Sequence, residues 1–205
     1  LQLALKHEQH EKILPIFIFT PEQVSNKNTY RSTNAIQFMI NSLKEINHLQ
    51  CFYGDNLVVL KHLFSIINVT AIYFNKDHTH YAQKRDTSIV NLCKKNDIAV
   101  YATEDYNLNS IGSILTGSGT FYSTFTPFYK NASQQNVDTP QKFDKKYDRS
   151  CSLTVDSKYT ISLDDALSKF TSIKTRDVKF FVHGGRKEAL IMLGQIKKFN
   201  EYHET

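Results

Sequence analysis

The stretch "VTAIYFNKDHTHYAQKRD" (residues 69–86) passes directly from an apolar run into a dense group of polar and charged residues. Its first part, residues 69–75, has the length and apolar character of a buried strand. The polar part contains Asn75-Lys76-Asp77 and, about two helical turns later, Arg85-Asp86. Ligands of parallel α/β sheets bind outside the carboxyl ends of the strands. The stretch therefore allows two interpretations, a solvated network of surface charges formed by Lys76-Asp77 and Arg85-Asp86, or a ligand-binding edge.

The segments around this stretch repeat an alternation of helix and strand. Three further apolar runs have strand length: "ILPIFIF" (13–19), "LQCFYG" (49–54) and "IAVYA" (98–102). The continuous apolarity of the run at 13–19 indicates burial on both faces, as in a parallel sheet. Amphipathic helices are predicted at residues 34–47, after a cap at Asp55 or Asn56, and from Tyr81 to Lys94-Lys95-Asn96. This order predicts an α/β fold with a doubly wound parallel sheet.

The two ends of the chain depart from that alternation. The chain opens on a helix, whereas such a sheet usually opens on a strand, so we expect the first strand to lie upstream of Leu1. Residues 133–160 are polar and are predicted to form a connector rather than a core element. Ser162 is the predicted cap of a helix over residues 162–170, and a Gly-Gly turn precedes a second helix within residues 183–202.

Composition limits the classes of function. The 205 residues carry 40% hydrophobic side chains and a net charge of +5, which suits one ordinary domain with a buried core. A mild positive charge favours polyanionic partners or simply keeps the protein in solution. Cys51, Cys93 and Cys151 form no CxxC pair, which favours a reducing, intracellular compartment over a disulfide scaffold or a zinc site. No apolar stretch approaches the length of a membrane helix.

The usual catalytic signatures are absent from the sequence. It contains no GxGxxG, GxxxxGK[ST], HExxH or GxSxG motif. His78 and His80 are two positions apart, a spacing that does not place them on one helical face, so they are not predicted to bind a metal. The sequence alone therefore predicts no catalytic residue and no metal ligand.

Four stretches, taken in order, resemble the N-terminal α/β domain of the DNA photolyase and cryptochrome family. They are "ILPIFIFTPEQ", "NAIQFMINSLKEI", "AIYFNKDHTHYAQKRD" and "LTGSGTFYSTFTPFYKNA". The family's strand–Asn-(Arg/Lys)-Asp pattern matches Asn75-Lys76-Asp77, and its Thr-Gly and Phe-Thr-Pro-Phe patterns match Thr116-Gly117 and residues 125–128. The resemblance covers residues 3–132. Over residues 180–200 it is looser, where "GGRKEALIMLGQIKKF" is similar to the start of the family's helical domain with Arg186 in place of an acid.

The resemblance implies a division into three parts. Residues 1–132 would form the α/β domain, residues 133–182 an interdomain connector, and residues 183–205 the beginning of a helical FAD-binding domain that is otherwise absent. The family's flavin and its pocket for pyrimidine dimers lie in the helical domain. The chain would therefore belong to a light-dependent DNA repair flavoprotein without being catalytic alone. FAD would come from a missing domain or a split-gene partner, and DNA would bind only to the complete protein.

In this family the α/β domain holds an antenna chromophore. Tyr81 and Ala82 replace the Asn-Glu pair of folate-binding members, which implies a deazaflavin or FMN rather than a folate. Many relatives have Asp-Pro at the end of the second strand and Asn-Arg at the start of the following helix. This chain has Thr20-Pro21 and Asn34-Ala35 at those positions, so it lacks both charges. The candidate antenna contacts are Thr20, Asn34, Asn75, Lys76, Asp77, Tyr81 and Arg85.

Two further interpretations compete with the antenna role. The chain could be a non-catalytic α/β module that has lost its chromophore and serves in protein association, or a nucleotide-binding module on the same sheet topology. The lack of a Gly-rich phosphate loop after the visible strands disfavours the nucleotide-binding module. The aromatic stretch from Phe121 to Tyr129 is predicted to pack between domains, with stacking on single-stranded nucleic acid as the alternative.

Overall fold

A computed structural model describes residues 2–7, 12–104, 107–137, 139, 147, 151–171 and 183–199. The chain divides into two compact units. Unit 1 is built from residues between His7 and Asn68 and between Tyr147 and Thr205, and unit 2 from Gln2–Lys6 and residues between Val69 and Lys146. The helices are α1 (Gln2–Lys6), α2 (Pro21–Val24), α3 (Thr33–Leu43), α4 (Asn56–Ile66), α5 (His80–Lys94), α6 (Phe125–Ala132), α7 (Leu163–Thr171) and α8 (Arg186–Gly194). The strands are β1 (Ile16–Phe19), β2 (Gln50–Tyr53), β3 (Ala71–Asn75) and β4 (Ala99–Thr103), and a 3-10 helix spans Ile196–Phe199.

Each unit contains one pair of parallel strands. In unit 1, Ile16 of β1 lies opposite Gln50 of β2, and in unit 2, Ala71 of β3 lies opposite Ala99 of β4. Parallel neighbours need a crossover connection, which here contains α2 and α3 in unit 1 and α5 in unit 2. The predicted α/β class with parallel strands is therefore confirmed. Its four described strands are arranged as two pairs.

Polar residues begin the helices where the sequence predicts them. The carboxylate of Asp55 accepts hydrogen bonds from the backbone amides two and three residues later, at 2.9 and 3.0 Å, and so caps α4. The hydroxyl of Ser162 accepts one from the Asp165 amide at 3.0 Å and caps α7. Each such cap stabilises its helix by about 1 kcal/mol, because it satisfies amides that have no partner within the helix.

Both faces of the β1–β2 pair are covered. One face packs against α3 and α7 in a cluster formed by Phe19, Val24, Ile36, Ile40, Leu43, Cys51, Ala166 and Phe170. The other face packs against α4 and the chain around residue 155 in a cluster formed by Phe52, Val59, Leu63 and Val155. The prediction of burial on both faces, made from the apolar run at residues 13–19, is confirmed for the pair that contains β1.

The segment before α7 contributes a core residue that the sequence analysis did not expect. Val155 lies within residues 133–160 but is only 7% exposed. The Gln50 side chain makes two hydrogen bonds to the Val155 backbone. Nε2 donates to the Val155 carbonyl at 2.9 Å, and Oε1 accepts from the Val155 amide at 2.7 Å. The expectation that this segment forms no core element is therefore wrong at Val155. The assignment of residues 133–182 as an interdomain connector stays a prediction.

The β3–β4 pair of unit 2 is covered less completely. Helix α5 contacts β4 and buries Ala82, Leu92 and Cys93. Alternate residues along β4, among them Tyr101 and Thr103, are exposed. Tyr101 is 38% exposed, and its ring stacks on that of Tyr73, with centroids 4.7 Å apart and planes 9° from parallel.

Cys51 and Cys93 are buried free thiols. Burial raises the pKa of Cys51 to about 11 and raises that of Cys93 as well. Across the described ranges, no three His, Cys, Asp or Glu side chains are grouped so that they could hold a metal ion. Among the described helices, none combines the length and apolarity needed to cross a membrane.

Candidate functional site

The carboxyl ends of β3 and β4 meet through polar contacts. Asn75, the last residue of β3, lies opposite Thr103 of β4, and the Thr103 hydroxyl donates to the Asn75 side-chain oxygen at 3.1 Å. The Lys76 amide donates to the Thr103 carbonyl at 2.8 Å, which extends the backbone ladder by one residue. Because side chains alternate along strands, Asn75 and Thr103 share a face with the stacked tyrosines. The Asn75 and Thr103 side chains are both exposed at this edge.

Asp77 organises the turn between β3 and α5. Its carboxylate accepts a hydrogen bond from the Thr79 amide at 2.9 Å, and the Thr79 hydroxyl accepts one from the Ala82 amide at 3.3 Å to cap α5. The Thr79 backbone amide, helped by the Thr79 hydroxyl and the charges of Arg85 and His78, lowers the pKa of Asp77. Asp77 is therefore an exposed carboxylate held in one orientation beside the strand end.

His78 and Glu104 form a contact that the sequence analysis missed. Nε2 of His78 lies 3.7 Å from Oε1 of Glu104, and Oε2 of Glu104 accepts a hydrogen bond from the Ile111 amide at 3.3 Å. Nε2 of His78 is buried and has no hydrogen-bond partner within the described structure. In the sequence Glu104 is marked by its position directly after β4, but its contact with His78 follows from the pairing of β3 with β4. We refer to Asn75, Asp77, His78, Thr103 and Glu104 as the strand-end cluster.

Arg85 is held by its neighbour in the sequence. Its Nε and Nη2 atoms lie 2.8 and 2.7 Å from Oδ1 of Asp86. Both side chains are partly buried on α5. Of the charges in the proposed surface network, Arg85 and Asp86 form an ion pair, and the charge of Arg85 also lowers the pKa of Asp77.

The other predicted contacts have separate surroundings. Tyr81 is exposed in the first turn of α5, whereas the next residue, Ala82, is fully buried. Thr20 and Asn34 belong to unit 1. Thr20 is buried and caps α2 by accepting a hydrogen bond from the Gln23 amide at 3.3 Å, and Asn34 is exposed in the first turn of α3. The structure therefore brings Asn75 and Asp77 together in unit 2, with Lys76 in the same turn. The ligand-binding roles of all seven residues stay predictions.

A second exposed feature of unit 2 is aromatic. Phe121, Phe125 and Tyr129 are 74%, 72% and 58% exposed. The rings of Phe125 and Tyr129 stack with centroids 5.7 Å apart, and the Asn131 amide donates to the Tyr122 hydroxyl at 2.9 Å, which ties the segment before α6 to the helix. No described side chain of α6 is buried. The segment is an exposed apolar surface with ring stacking and a side-chain hydrogen bond within it.

The DNA photolyase family model matches residues 1–145. The chain belongs to the DNA photolyase family. Among curated relatives, a deoxyribodipyrimidine photo-lyase of Synechococcus sp. is 25% identical over 146 residues, which cover 67% of this chain and 30% of that protein. Cryptochrome-1 of Anopheles gambiae is 27% identical over 95 residues, which cover 42% of this chain and 17% of that protein. The chain thus spans about a third or less of the length of these photolyase-family relatives.

Two solved photolyases have the same fold. The archaeal photolyase from Sulfolobus tokodaii is described with two FAD molecules, which imply a novel light-harvesting cofactor. It superimposes with a TM-score of 0.70 at 30% identity over 94% of this chain and 42% of its own. A class III photolyase from Agrobacterium tumefaciens gives a TM-score of 0.68 at 15% identity over 99% of this chain and 43% of its own, which shows the fold alone. The resemblance of this chain to the α/β part of photolyases is confirmed.

Proposed function

We propose that the chain is the antenna-type α/β part of a photolyase-like, light-dependent DNA repair flavoprotein. The observation that carries the proposal is the strand-end cluster in a member of this family. Asn75, Asp77 and His78 follow one strand, Thr103 and Glu104 end or follow its neighbour, and the parallel register brings both groups to one edge. That edge is where parallel α/β sheets bind ligands. The cluster either contacts an antenna chromophore or is the vestige of such a site.

The chromophore we propose is a flavin or a deazaflavin rather than a folate. Ala82 occupies one of the two positions used by folate-binding relatives, and its side chain is fully buried, so it offers nothing to a ligand. The Sulfolobus tokodaii photolyase, described as holding two FAD molecules, supports a flavin in the antenna role. Hydrogen-bonding groups at Asn75, Asp77 and His78 suit the polar edge of an isoalloxazine-like ring.

Catalysis would require parts that lie beyond this chain. It covers 42% of the Sulfolobus tokodaii photolyase and 30% of the Synechococcus relative. We propose that residues 183–205 begin a helical part, that residues 133–182 connect it to residues 1–132, and that the catalytic FAD comes from that part or from a partner polypeptide. Lesion binding and repair of pyrimidine dimers would then be properties of the complete assembly.

The test is a set of binding titrations on the purified chain. FMN, FAD, an 8-hydroxy-5-deazaflavin and methenyltetrahydrofolate are added separately, and fluorescence anisotropy reports binding. We expect saturable binding of a flavin or deazaflavin, weakened about tenfold in Glu104→Ala because a hydrogen-bonding group of the strand-end cluster is lost. His80→Ala, an exposed histidine outside the cluster, is the matched control. Preference for the folate would overturn the chromophore class, and no binding of any of the four would overturn the antenna role.

The exposed aromatic surface favours a second candidate, a protein-association module without a chromophore. Phe121, Phe125 and Tyr129 present three large rings to solvent in unit 2. Surfaces of this kind commonly mark interaction sites. Near-ultraviolet or blue absorbance that copurifies with the chain would favour the antenna role. A colourless protein whose sedimentation shows association, abolished by Phe125→Ser, would favour the module.

A further inference from the structure

Helix α8 starts in close contact with the end of α3, and only glycine fits at the contact. A Cβ atom on Gly184 would overlap the backbone carbonyl oxygen of Phe38 and would lie 2.8 Å from the Ser42 hydroxyl oxygen. A Cβ atom on Gly185 would overlap the Glu45 carboxylate, and Gly185 also has a φ of +124°, which side chains rarely adopt. The two glycines therefore allow the chain to approach α3 at backbone distance.

The first turn of α8 lacks the groups that normally stabilise a helix start. Gly185 stands at the cap position and has no side chain to accept a hydrogen bond. Arg186, the first helical residue, places a positive charge at the positive end of the helix dipole, although Glu188 in the same turn is acidic. A helix that begins in this way benefits from an acceptor supplied by another element.

Glu45 provides that acceptor. It lies just beyond the last residue of α3, and its Oε2 atom accepts a hydrogen bond from the Lys187 amide at 3.2 Å. A carboxylate at this point satisfies an amide that has no partner inside α8, and its charge offsets that of the helix dipole. The contact joins two residues far apart in the sequence, within one unit.

We propose that Glu45, Gly184 and Gly185 form a joint that fixes the start of α8 on α3, with Glu45 acting as a cap supplied by another helix. None of the described side chains of α8 is buried, and apolar residues such as Leu190 and Leu193 are exposed along it. The rest of the helix therefore contributes little to its attachment. The joint therefore sets the orientation of α8 relative to α3.

Hydrogen exchange on the 205-residue chain tests the joint. In Glu45→Ala, amides of residues 186–190 should exchange about tenfold faster, the size expected for a lost cap. Amides of α4, which is part of the unit 1 core, should keep the exchange rates of the parent. Equal acceleration in α4 and α8 would mean general destabilisation and would overturn the proposal, as would unchanged exchange in α8.

Two control variants are matched to changes in the joint: Lys44→Ala to Glu45→Ala, and Gly194→Ala to Gly184→Ala. Lys44→Ala removes the neighbouring residue, whose ammonium lies 2.7 Å from an Asp164 oxygen, without touching α8. Gly194→Ala adds a methyl group at the other end of α8, where nothing lies within 4 Å of it. Exchange at residues 186–190 should rise in Gly184→Ala and stay unchanged in Lys44→Ala and Gly194→Ala. If Gly184→Ala leaves α8 as in the parent, the close contact is not what attaches the helix.

A rescue variant separates capping from mere packing. Arg186→Glu puts a carboxylate on the first residue of α8 itself, so in the Glu45→Ala background it should return most of the lost protection. A methylene chain lost from packing would not be replaced by a change at position 186. Failure of Arg186→Glu to slow exchange in that background would overturn the capping role of Glu45.

Discussion

The β1–β2 pair and the β3–β4 pair have the same parallel register but different surroundings. In unit 1 both faces of β1–β2 are covered, and Phe52 is fully buried at the second of them. In unit 2 alternate residues of β4 are exposed, and Tyr101 retains more than a third of its accessible surface. The first pair is therefore a structural core, while the second carries an accessible face and a polar end.

The polar groups follow the same division. The end of β1 leads into Thr20, which is buried and occupied in capping α2. The end of β3 leads into Asn75 and Asp77, which are exposed. Thr20 is buried and so offers little to a ligand, whereas Asn75 and Asp77 remain accessible, so the candidate site belongs to the less covered pair. Three measurements test this difference between the two strand pairs.

The largest expected difference is between a phenylalanine of the first pair and a tyrosine of the second. Phe52→Ala should lower the free energy of unfolding by about 3–5 kcal/mol, because it leaves a cavity between β2 and α4. Tyr101→Ala should cost about 0.5–1.5 kcal/mol, since it removes one stacked ring from a partly exposed position. Urea unfolding followed by far-ultraviolet circular dichroism measures both. Equal losses would show that the two pairs are equally structural.

A smaller effect is expected where Gln50 holds Val155. Gln50→Ala leaves the amide and carbonyl of Val155 without their side-chain partner, which should cost about 1–3 kcal/mol in the same unfolding experiment. Gln50→Glu should be intermediate, because a carboxylate can accept from the Val155 amide but cannot donate to its carbonyl.

The control for this prediction is another glutamine. Gln83 is exposed, and its side chain makes one hydrogen bond, of 3.3 Å, to the His78 carbonyl. Gln83→Ala should change the free energy of unfolding by no more than about 0.5 kcal/mol. A Gln50→Ala variant as stable as Gln83→Ala would mean that the segment around Val155 is not part of the unit 1 core.

The strands and helix starts were predictable because their signals are local. The run "ILPIFIF" predicts a buried strand, and the structure has β1 at Ile16–Phe19, just after Pro15, which has no amide to donate to a ladder. Asp55 and Ser162 act as caps through amides two or three residues away. The run "IAVYA" is equally apolar, yet Tyr101 is exposed, since the residue types of a strand do not reveal whether a helix covers it.

The remaining features depend on contacts between distant parts of the chain. His78 and Glu104 meet only because β3 and β4 are paired in register, so neither residue signals the contact alone. Val155 is buried among Phe52, Val59 and Leu63, and the Gln50 side chain on β2 binds its backbone, although the segment around it is polar in composition. Asn75 and Asp77 could be placed at the site because they directly follow a strand. Their common edge with Glu104 required the strand pairing.

The smallest expected effect concerns the exposed carboxylate of the second pair. The Thr79 amide and hydroxyl, with Arg85 and His78, lower the pKa of Asp77, so its folded value lies below the ordinary value of about 3.9. The stabilisation it gives is therefore complete above that ordinary value and is lost as the pH falls through the lower, folded one. An NMR titration of the Asp77 carboxyl carbon should give a midpoint below 3.9.

The same carboxylate can be tested through the helix that it orders. Asp77→Asn keeps an acceptor for the Thr79 amide but cannot ionise. In the parent, protonation of Asp77 at low pH should speed amide hydrogen exchange in the first turn of α5, and in Asp77→Asn this acid-induced rise should be absent. Asp156→Asn, at an exposed position in unit 1, should show the same acid-induced rise in exchange as the parent. A midpoint at or above the ordinary value would mean that the Thr79 hydrogen bond does not persist in solution. The turn at the end of β3 would then lack the fixed carboxylate on which the candidate site depends.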